Sequence, residues 1–338
     1  MRAVLLGRPE TMMTIPADIQ IDVHLAEAGT DAILAELRQG LLGPVRSLPS
    51  RYFYDDHGSR LFEAITELPE YYPTRAEATL LRTEAAKIVG ISGARELVEL
   101  GSGAATKSRI LLDAMRDADS LRRYVPVDVS DGILRRTALE LRREYPKLEI
   151  HGMVADFMHH LDALPDTDET RLVAFLGGTI GNLEPEHDAP ALLREVHDAM
   201  ALGDRFLLGT DLIKDPAVIE AAYNDSQGIT AAFNLNILKV VNERFDANFD
   251  VDAFRHRAFF DREHRWIEMR VVASRAMQVH IGALDMTIEL DADEEIRTEI
   301  STKYDRERLE GLFAKSAFEL TELYTGEGLF ALSLARPT

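Results

Sequence analysis

The chain has no cysteine, no long apolar segment and a shortage of positive charge. Without cysteine the protein forms no disulfide, holds no zinc through thiolates and uses no cysteine nucleophile. Its 338 residues contain no apolar run of the length that a membrane-spanning helix needs. The apolar stretch within residues 1–6 is also too short for a signal peptide. We therefore expect a cytoplasmic protein that does not insert into a membrane.

Acidic residues outnumber basic ones, 58 against 38, which gives a formal net charge of −20 at pH 7. This charge disfavours DNA, RNA and anionic membranes as partners, because a protein attracts polyanions through a basic surface. A hydrophobic content of 46% is ordinary for a folded protein, and the length allows two domains or one enlarged domain. We expect a globular protein that acts on a small molecule, without a nucleic-acid partner or an obligate protein partner.

A glycine turn follows the apolar run that begins at Leu97, in the sequence Leu-Val-Glu-Leu-Gly-Ser-Gly. Glycine lets the backbone turn sharply and approach a ligand, and the N–H groups of a following helix favour polar or anionic groups. A dinucleotide fingerprint needs a third small residue where this chain has Thr106. The acid at Glu99 and the missing third glycine instead suit S-adenosylmethionine, which has no pyrophosphate.

Strands and helices alternate along the chain. The predicted strands are 97–100, 124–129, 148–154, 171–176 and 205–210, and the predicted helices are 31–40, 106–115, 131–144, 190–201 and 216–225. Repeated strand–helix units indicate a parallel sheet covered on both faces. The end of the chain reads as an antiparallel hairpin, with strands 318–324 and 329–335. We therefore predict an α/β protein with the Rossmann-like, doubly wound fold of class I S-adenosylmethionine-dependent methyltransferases.

The predicted elements divide the chain into three parts. An insertion after the fifth strand projects from the carboxyl end of the sheet, where ligands bind in open α/β folds. We predict a substrate-binding domain from residues 25–76 and 214–302, and a domain that binds S-adenosylmethionine from residues 77–213 and 303–338. Residues 1–24 are expected to form a loosely ordered extension.

Asp128 ends the second predicted strand of the sheet. An acid at this place can accept both ribose hydroxyls of a nucleoside. It can equally cap the next helix, because Ser130 and Asp131 follow it. The glycine turn before it favours contact with a ligand.

Three further residues are candidates for binding the cofactor. Asp156 and Phe157 follow the third strand, where a carboxylate can accept the adenine amino group and a ring can stack on the base. A turn aspartate beside a core phenylalanine is the alternative. Lys107 lies in the first turn of the helix after the glycine loop and can meet the carboxylate of the methionine moiety, unless it is a solvated helix lysine.

The fourth strand runs into Gly177, Gly178 and, after three more residues, Asn182. The glycines let the backbone pass close to a sulfonium group. Asn182 offers a neutral polar clamp for an amine, which must present an unprotonated lone pair, whereas a carboxylate would favour the ammonium form. Asparagine is also common in structural turns.

Several longer motifs make the chain resemble one family, the histidine-specific Nα-methyltransferases of ergothioneine biosynthesis. The resemblance spans about residues 30–336, through Arg51-Tyr52-Phe53-Tyr54-Asp55, Leu68-Pro69-Glu70-Tyr71-Tyr72-Pro73-Thr74-Arg75, Glu99-Leu100-Gly101-Ser102-Gly103, Phe175 to Asn182, Gly209-Thr210-Asp211-Leu212, Thr230-Ala231-Ala232-Phe233-Asn234 and Thr298-Glu299-Ile300-Ser301. It implies conversion of L-histidine into its trimethylated betaine, hercynine, with three molecules of S-adenosylmethionine and no metal.

The resemblance also implies roles for individual residues. The cofactor would be held by Gly101, Lys107, Asp128, Asp156 and Phe157. The substrate carboxylate would be bound by Tyr71, Asn182 and Tyr223, and the amino group would lie near Tyr54 and Gly177. The imidazole would be bound by Glu299 and Ser301 in a pocket shaped by Phe62 and Met269, and the catalytic residues would be Tyr54 and Asn182.

Some of these roles have alternatives in the sequence itself. Glu299 and Ser301 are two residues apart, so on an extended segment both face one side, which can be a ligand site or an exposed strand face. Tyr71 can brace a rigid turn, and Met269 can simply fill the core. Gly178 stands where the resemblance leads us to expect serine.

Three other functions remain open at this stage. A methyltransferase that acts on nucleic acids or proteins would need a basic channel. A non-catalytic regulator would bind the cofactor but would have no substrate pocket. The same type of enzyme can act on another amino acid, such as tryptophan. Glu299 favours histidine, because an indole has no pair of ring nitrogens. The amine proton is expected to leave through Tyr54 or through water.

Overall fold

The computed structural model describes residues 19–24 and 30–338. The strands in that part of the chain are β1 (Ile19–Val23), β2 (Glu96–Leu100), β3 (Arg123–Asp128), β4 (Glu149–Val154), β5 (Arg171–Phe175), β6 (Arg205–Asp211), β7 (Phe254–Asp261), β8 (Trp266–Ala273), β9 (Met277–Ile281), β10 (Met286–Leu290), β11 (Glu295–Thr302), β12 (Phe318–Tyr324) and β13 (Phe330–Pro337). The helices are α1 (Thr30–Leu42), α2 (Asp56–Thr66), α3 (Tyr72–Ser92), α4 (Ser108–Asp117), α5 (Asp131–Glu144), α6 (Asp188–Asp198), α7 (Pro216–Tyr223), α8 (Ile229–Phe245) and α9 (Arg306–Lys315).

Eight of the strands form one sheet in the order β1-β4-β3-β2-β5-β6-β13-β12. The strands from β1 to β6 are parallel, whereas β13 is antiparallel to both β6 and β12. The central strands are almost wholly buried, because helices cover both faces of the sheet. This arrangement confirms the predicted fold of class I methyltransferases. From β2 the strand order runs one way to β3 and β4 and the other way to β5 and β6. Such a switch point between β2 and β5, at the carboxyl ends of the strands, is where these folds bind ligands.

The N-terminal part differs from the prediction. We expected residues 1–24 to be loosely ordered, but Ile19–Val23 pairs in parallel with β4 and forms an edge of the sheet. Ile19 is buried, and Asp22 contacts Nε2 of His151 at 2.7 Å. The expectation was therefore wrong for this segment, whose alternating apolar and polar residues suit an edge strand. Residues 1–18 lie outside the described part of the chain.

The inserted segment contains more structure than the sequence suggested. Strands β11, β8 and β7 form an antiparallel sheet, and β9 pairs with β10. The single predicted helix at 216–225 is α7, which ends at Tyr223, and a second helix, α8, follows it. These elements share an apolar core with α1 and α2, separate from the clusters on the two faces of the main sheet. The division into two domains at the stated residues stays a prediction.

Backbone contacts bring the inserted segment to the carboxyl edge of the main sheet. Tyr304 follows Lys303 just after the end of β11. Its N–H donates to the carbonyl of Asp211, at the end of β6, at 2.9 Å. A 3₁₀ turn, Thr179–Asn182, packs against β11 so closely that a Cβ on Gly181 would lie 3.0 Å from the carbonyl of Thr302. Strand β11 therefore lies beside the loops that follow β5 and β6.

Candidate active site

The glycine loop after β2 bends at two left-handed glycines, and Ala105 after them is also left-handed, with φ +52°. Gly101 has φ +70° and Gly103 has φ +49°, a region in which other residues are strained. The N–H of Gly101 donates to the carbonyl of Val127 at 2.8 Å, which ties the loop to β3. The loop therefore presents its backbone at the carboxyl edge of the sheet, as the sequence predicted.

Asp128 joins this loop to the helix that follows β3. One carboxylate oxygen accepts the N–H of Gly103 and the other accepts the N–H of Ser130, both at 2.8 Å. Burial raises the pKa of Asp128 above its ordinary value, although these backbone donors oppose the shift. The contact with Ser130 is a turn just before α5 and does not cap an N–H group of that helix, so the helix-cap alternative is not what the structure shows. Each oxygen keeps a further lone pair that can accept a hydroxyl, so ribose binding stays a prediction.

Phe157 lies beside the glycine loop. A Cβ on Gly101 would lie 3.7 Å from the Phe157 ring, and the ring centroids of Phe157 and Phe175 are 5.2 Å apart. The neighbouring Asp156 accepts the N–H of Met158 at 2.9 Å, as a turn aspartate does. The structure brings both residues to the same edge of the sheet as Gly101, and their contact with adenine stays a prediction.

Lys107 is paired with an acid that the sequence analysis did not single out. Its Nζ lies 2.5 Å from the carboxylate of Glu77, which is 1% exposed on α3. The same carboxylate accepts the N–H of Gly177 at 2.8 Å, so it connects the helix after the glycine loop to the loop after β5. Glu77 is on the apolar face of α3, four residues before Leu81. The sequence signal that could have identified Glu77 is a charged residue on an otherwise apolar helix face.

Glu99 connects the strand before the glycine loop to its neighbouring elements. It is buried, and it accepts hydrogen bonds from the hydroxyls of Tyr124, at 2.5 Å, and Ser108. Burial raises the pKa of Glu99 to about 7, against the effect of these two donors. The acid that we took to suit S-adenosylmethionine is therefore a brace between β2, β3 and α4.

Aromatic side chains from three segments form one wall of the site. The ring centroids of Tyr54 and Phe62 are 5.9 Å apart, those of Phe62 and Tyr71 are 6.4 Å apart, and those of Tyr71 and Tyr223 are 6.3 Å apart. Tyr54 is 46% exposed, yet burial raises its pKa well above the ordinary value of 10. Glu299, Tyr71 and Tyr223 are close enough to Tyr54 to raise its pKa as well, and we call the region bounded by this wall, Asn182 and Glu299 the hollow. The pKa of Tyr71 is raised for the same reason.

Two capped helices hold this wall in place. Asp55 caps α2, accepting the N–H of Gly58 at 2.8 Å, and also accepts the amide of Asn236 at 2.7 Å, which anchors the residue next to Tyr54. Asp215 caps α7, accepting the N–H of Ala217 at 3.0 Å. Tyr223 is the last residue of that helix.

Glu299 and Ser301 occupy β11, on which residues two apart share a face. The cross-strand neighbour of Glu299 is Met269, so the two side chains are on the same side of the sheet. Met269 is 2% exposed and packs in the apolar core, which fits the core-filling alternative; a contact with substrate stays a prediction. Burial raises the pKa of Glu299 to about 8, although nearby Lys303 lowers it.

Asn182 links the loop after β5 to this strand. Its amide donates to Oε2 of Glu299 at 3.3 Å. The resemblance assigns these residues to opposite ends of a substrate, so a ligand between them must share or replace this hydrogen bond. Gly177 and Gly178 before the turn have φ +84° and +70°, which explains glycine at 178, where serine would be strained.

A buried charged cluster lies behind the hollow. Lys303 is 0% exposed, and its Nζ lies 2.9 Å from Oδ2 of Asp211. Lys214 lies 2.6 Å from Oδ1 of the same carboxylate, which also accepts the hydroxyl of Tyr72 at 2.7 Å. Burial opposes ionisation of Asp211, but the two lysines outweigh it and hold its pKa below the ordinary value. The cluster therefore carries two positive charges against one negative charge.

The arrangement suits transfer of a group between two bound small molecules. The left-handed glycines, Asp128 and Phe157 provide backbone, hydroxyl-accepting and ring surfaces, which fit a nucleoside. The adjoining hollow carries a buried carboxyl and several hydroxyls, which fit a small polar molecule. Within the described residues, no three His, Asp or Glu side chains are grouped to hold a metal. Over the same range, every helix is too short or too polar to cross a membrane.

Comparison with known proteins identifies the family. Residues 33–337 match the family described as histidine-specific methyltransferase, SAM-dependent. The histidine N-alpha-methyltransferase of Mycolicibacterium smegmatis is 46% identical over 311 residues, which cover 92% of this chain and 96% of that protein. The protein of the same name from Mycobacterium tuberculosis is 45% identical, over 94% of this chain and 99% of its own length.

More distant proteins share parts of the chain. Ergothioneine biosynthesis protein 1 of Neurospora crassa is 30% identical over 86% of this chain, which spans 33% of that protein. A solved S-adenosylmethionine-dependent methyltransferase from Clostridium acetobutylicum has a TM-score of 0.46 and 11% identity, over 82% of this chain and 98% of that one. From the family match and the two mycobacterial relatives, the chain belongs to the histidine-specific, S-adenosylmethionine-dependent methyltransferases.

Proposed function

We propose that the protein methylates the α-amino group of L-histidine three times, with S-adenosylmethionine as donor, and so makes hercynine as a step of ergothioneine biosynthesis. The observation that carries the proposal is that Glu299 and the buried Ser301 lie on one face of β11, beside Asn182 and the loops at the carboxyl edge of the main sheet. The names of the two mycobacterial relatives and of the Neurospora protein support the substrate and the pathway.

The cofactor would lie along the loops after β2, β3 and β4. Asp128 would accept the ribose hydroxyls, Asp156 and Phe157 would bind adenine, and Gly101 would let the backbone approach. Lys107, held by Glu77, would meet the methionine carboxylate. When bound, S-adenosylmethionine supplies a methyl group activated by a sulfonium charge.

The substrate would lie across the hollow. Tyr71 and Asn182 would bind its carboxylate, while Tyr54 and Gly177 would lie near its amino group. The resemblance also assigns Tyr223 to the carboxylate, but its hydroxyl already donates to Ser301 and accepts from Lys303, so it would line the site without donating to the substrate. A phenol is protonated at neutral pH, and burial raises the pKa of Tyr54 further, which favours a role in orienting the amine over a role as its base. The proton would therefore leave to water. Catalysis would rest on alignment of the amine and exclusion of competing water.

The ring would lie at the other end of the hollow. The carboxyl of Glu299, which its pKa of about 8 keeps mainly protonated at pH 7 in the free protein, would ionise on binding and accept the N–H of an imidazole, and the hydroxyl of Ser301 would contact the second ring nitrogen. Indole has one nitrogen and would leave one of these groups without a partner, which costs affinity. The ring site therefore favours histidine over tryptophan.

The test offers purified protein and S-adenosylmethionine to each of the twenty amino acids and measures products by mass spectrometry. We expect histidine to be preferred and to gain three methyl groups, with mono- and dimethylated forms appearing first. Preference for tryptophan would support the alternative substrate, and methylation of none of the twenty would refute the proposal. A product that stops at one methyl group would refute trimethylation alone.

A further inference from the structure

Lys303 is a buried residue for which the proposed function has no role. Its ammonium group has three N–H donors, and the structure provides three acceptors: Oδ2 of Asp211 at 2.9 Å, Oγ of Ser301 at 2.8 Å and the hydroxyl oxygen of Tyr223 at 3.1 Å. Each donor of Lys303 thus has a partner. The residue can donate to both hydroxyls but can accept from neither.

The direction of the remaining hydrogen bond follows from this. The hydroxyl of Tyr223 donates to Oγ of Ser301 at 2.9 Å. A phenol oxygen serves as one donor and one acceptor, and Tyr223 already accepts from Lys303. A serine hydroxyl has two lone pairs, and both are taken, one by Lys303 and one by Tyr223. The proton of Ser301 therefore points neither to Lys303 nor to Tyr223, and it is free to be donated to a ligand.

We propose that Lys303 is a positioning residue for substrate specificity, which makes Ser301 an obligate hydrogen-bond donor beside the accepting carboxylate of Glu299. The inference rests on the proposed function and deepens it. The site then selects a ring that has one N–H and one unprotonated nitrogen, which is neutral imidazole in a single tautomer. A ring with two N–H groups, such as imidazolium, would set its second N–H against the proton of Ser301.

Lys214 provides a matched control within the same cluster. It also contacts Asp211, at 2.6 Å, but its other partners are the hydroxyl of Tyr72, at 2.7 Å, and the carbonyl of Leu212. Replacing it removes the same charge from the cluster without removing a donor from Ser301 or Tyr223. After either replacement Asp211 keeps one lysine, so neither variant leaves this carboxylate without a cation.

The experiment compares histidine with two ring analogues, 3-(pyrrol-2-yl)alanine and 3-(pyrrol-3-yl)alanine. Each keeps one N–H, at one or the other ring position, and replaces the unprotonated nitrogen with C–H. In the wild type the proton of Ser301 then has no acceptor, which costs about 1–3 kcal/mol or roughly 5- to 150-fold in kcat/KM. In Lys303→Met the hydroxyl of Ser301 can turn, and the ratio of kcat/KM for histidine to that for the better analogue falls toward one.

Lys214→Met is expected to keep the wild-type ratio, and Ser301→Ala is expected to lose it. A role of Lys303 in stability alone would lower kcat/KM for histidine and the analogues equally, and an unchanged ratio in Lys303→Met would overturn the inference. Failure of the wild type to methylate histidine would instead refute the proposed function, so the two failures are distinguishable.

A measurement on the wild type tests the inference even if Lys303→Met does not fold. L-Histidine labelled with ¹⁵N in the ring is bound to the protein together with S-adenosylhomocysteine at pH 7. Nitrogen NMR is expected to show one protonated and one unprotonated ring nitrogen. Two protonated ring nitrogens in the bound substrate would overturn the inference.

Discussion

Replacing Glu299 with glutamine is expected to stabilise the free protein and to impair its activity on histidine. Burial raises the pKa of this carboxyl from its ordinary value of 4.5 to about 8. Since a tenfold change in an ionisation constant corresponds to about 1.4 kcal/mol, the ionised form costs the folded state about 5 kcal/mol. Glutamine has the same shape and carries no such cost.

The sign of the effect depends on pH in a defined way. Near pH 4.5 the carboxyl is protonated in the folded state and half ionised in the unfolded state, so Glu299→Gln and the wild type differ by only about 0.4 kcal/mol. As the pH rises toward 8, ionisation increasingly favours the unfolded wild type. The advantage of Glu299→Gln grows to about 3 kcal/mol at pH 7 and levels off near 5 kcal/mol above pH 8. At roughly 2 °C per kcal/mol, the Tm of Glu299→Gln is expected to exceed that of the wild type by roughly 6 °C at pH 7 and roughly 10 °C above pH 8.

A second glutamate on the same strand gives the matched control. Burial opposes ionisation of Glu295, but its ion pairs with Arg257 and Arg270 outweigh this and hold its pKa below the ordinary value. Glu295 therefore contributes stability above pH 4.5 that is lost as the pH falls. Glu295→Gln is expected to have a Tm below the wild type at pH 7 and pH 9, opposite in sign to Glu299→Gln.

Thermal unfolding of the three proteins between pH 5 and pH 9, without ligands, measures these differences. In parallel, kcat/KM of Glu299→Gln for histidine is expected to fall roughly 10- to 150-fold, the cost of losing a hydrogen bond to a charged group. A Tm of Glu299→Gln at or below the wild-type value at pH 9 would refute the raised pKa assigned to Glu299.

Two further predictions concern Glu77 and Tyr54. Glu77→Gln leaves Lys107 beside a neutral amide instead of a carboxylate. We expect this variant to lower the free energy of unfolding by about 1–3 kcal/mol and to weaken S-adenosylmethionine binding roughly tenfold. An unchanged calorimetric Kd for S-adenosylmethionine would contradict the role of the Glu77–Lys107 pair. Tyr54→Phe is expected to lower kcat less than tenfold with the same pH profile, because a protonated phenol does not act as the base. A loss of 100-fold or more would point to proton transfer through Tyr54.

The sequence was most informative where local pattern and fold coincide. The apolar strands, the glycine turn and the C-terminal hairpin predicted the main sheet, because buried parallel strands are continuous apolar runs and turns need particular residues. The candidate residues Gly101, Asp128 and Phe157 were found because each lies at, or just after, the end of a predicted strand. The carboxyl ends of parallel strands meet at one edge, so their positions in space followed from their positions in the chain.

The buried polar partners could not be read in the same way. Lys303 meets Asp211 and Ser301, and Lys107 meets Glu77, across packed elements from distant parts of the sequence. No spacing rule connects Lys303 with Asp211 or Lys107 with Glu77, because these contacts depend on how distant segments pack on the sheet; only Ser301, two residues from Lys303, is near its partner in sequence. Strand β1 was missed for a related reason, since five residues pair only with β4 at an edge.

The position of the new methyl groups tests the central claim most directly. If the imidazole ring lies at Glu299 and Ser301 and the amino group lies near Tyr54 and Gly177, only the α-nitrogen can meet the methyl group of S-adenosylmethionine. Tandem mass spectrometry of the product from L-histidine is therefore expected to place three methyl groups on the α-nitrogen and none on the ring. A methyl group on a ring nitrogen would contradict the orientation of the substrate and the roles assigned to Glu299 and Ser301.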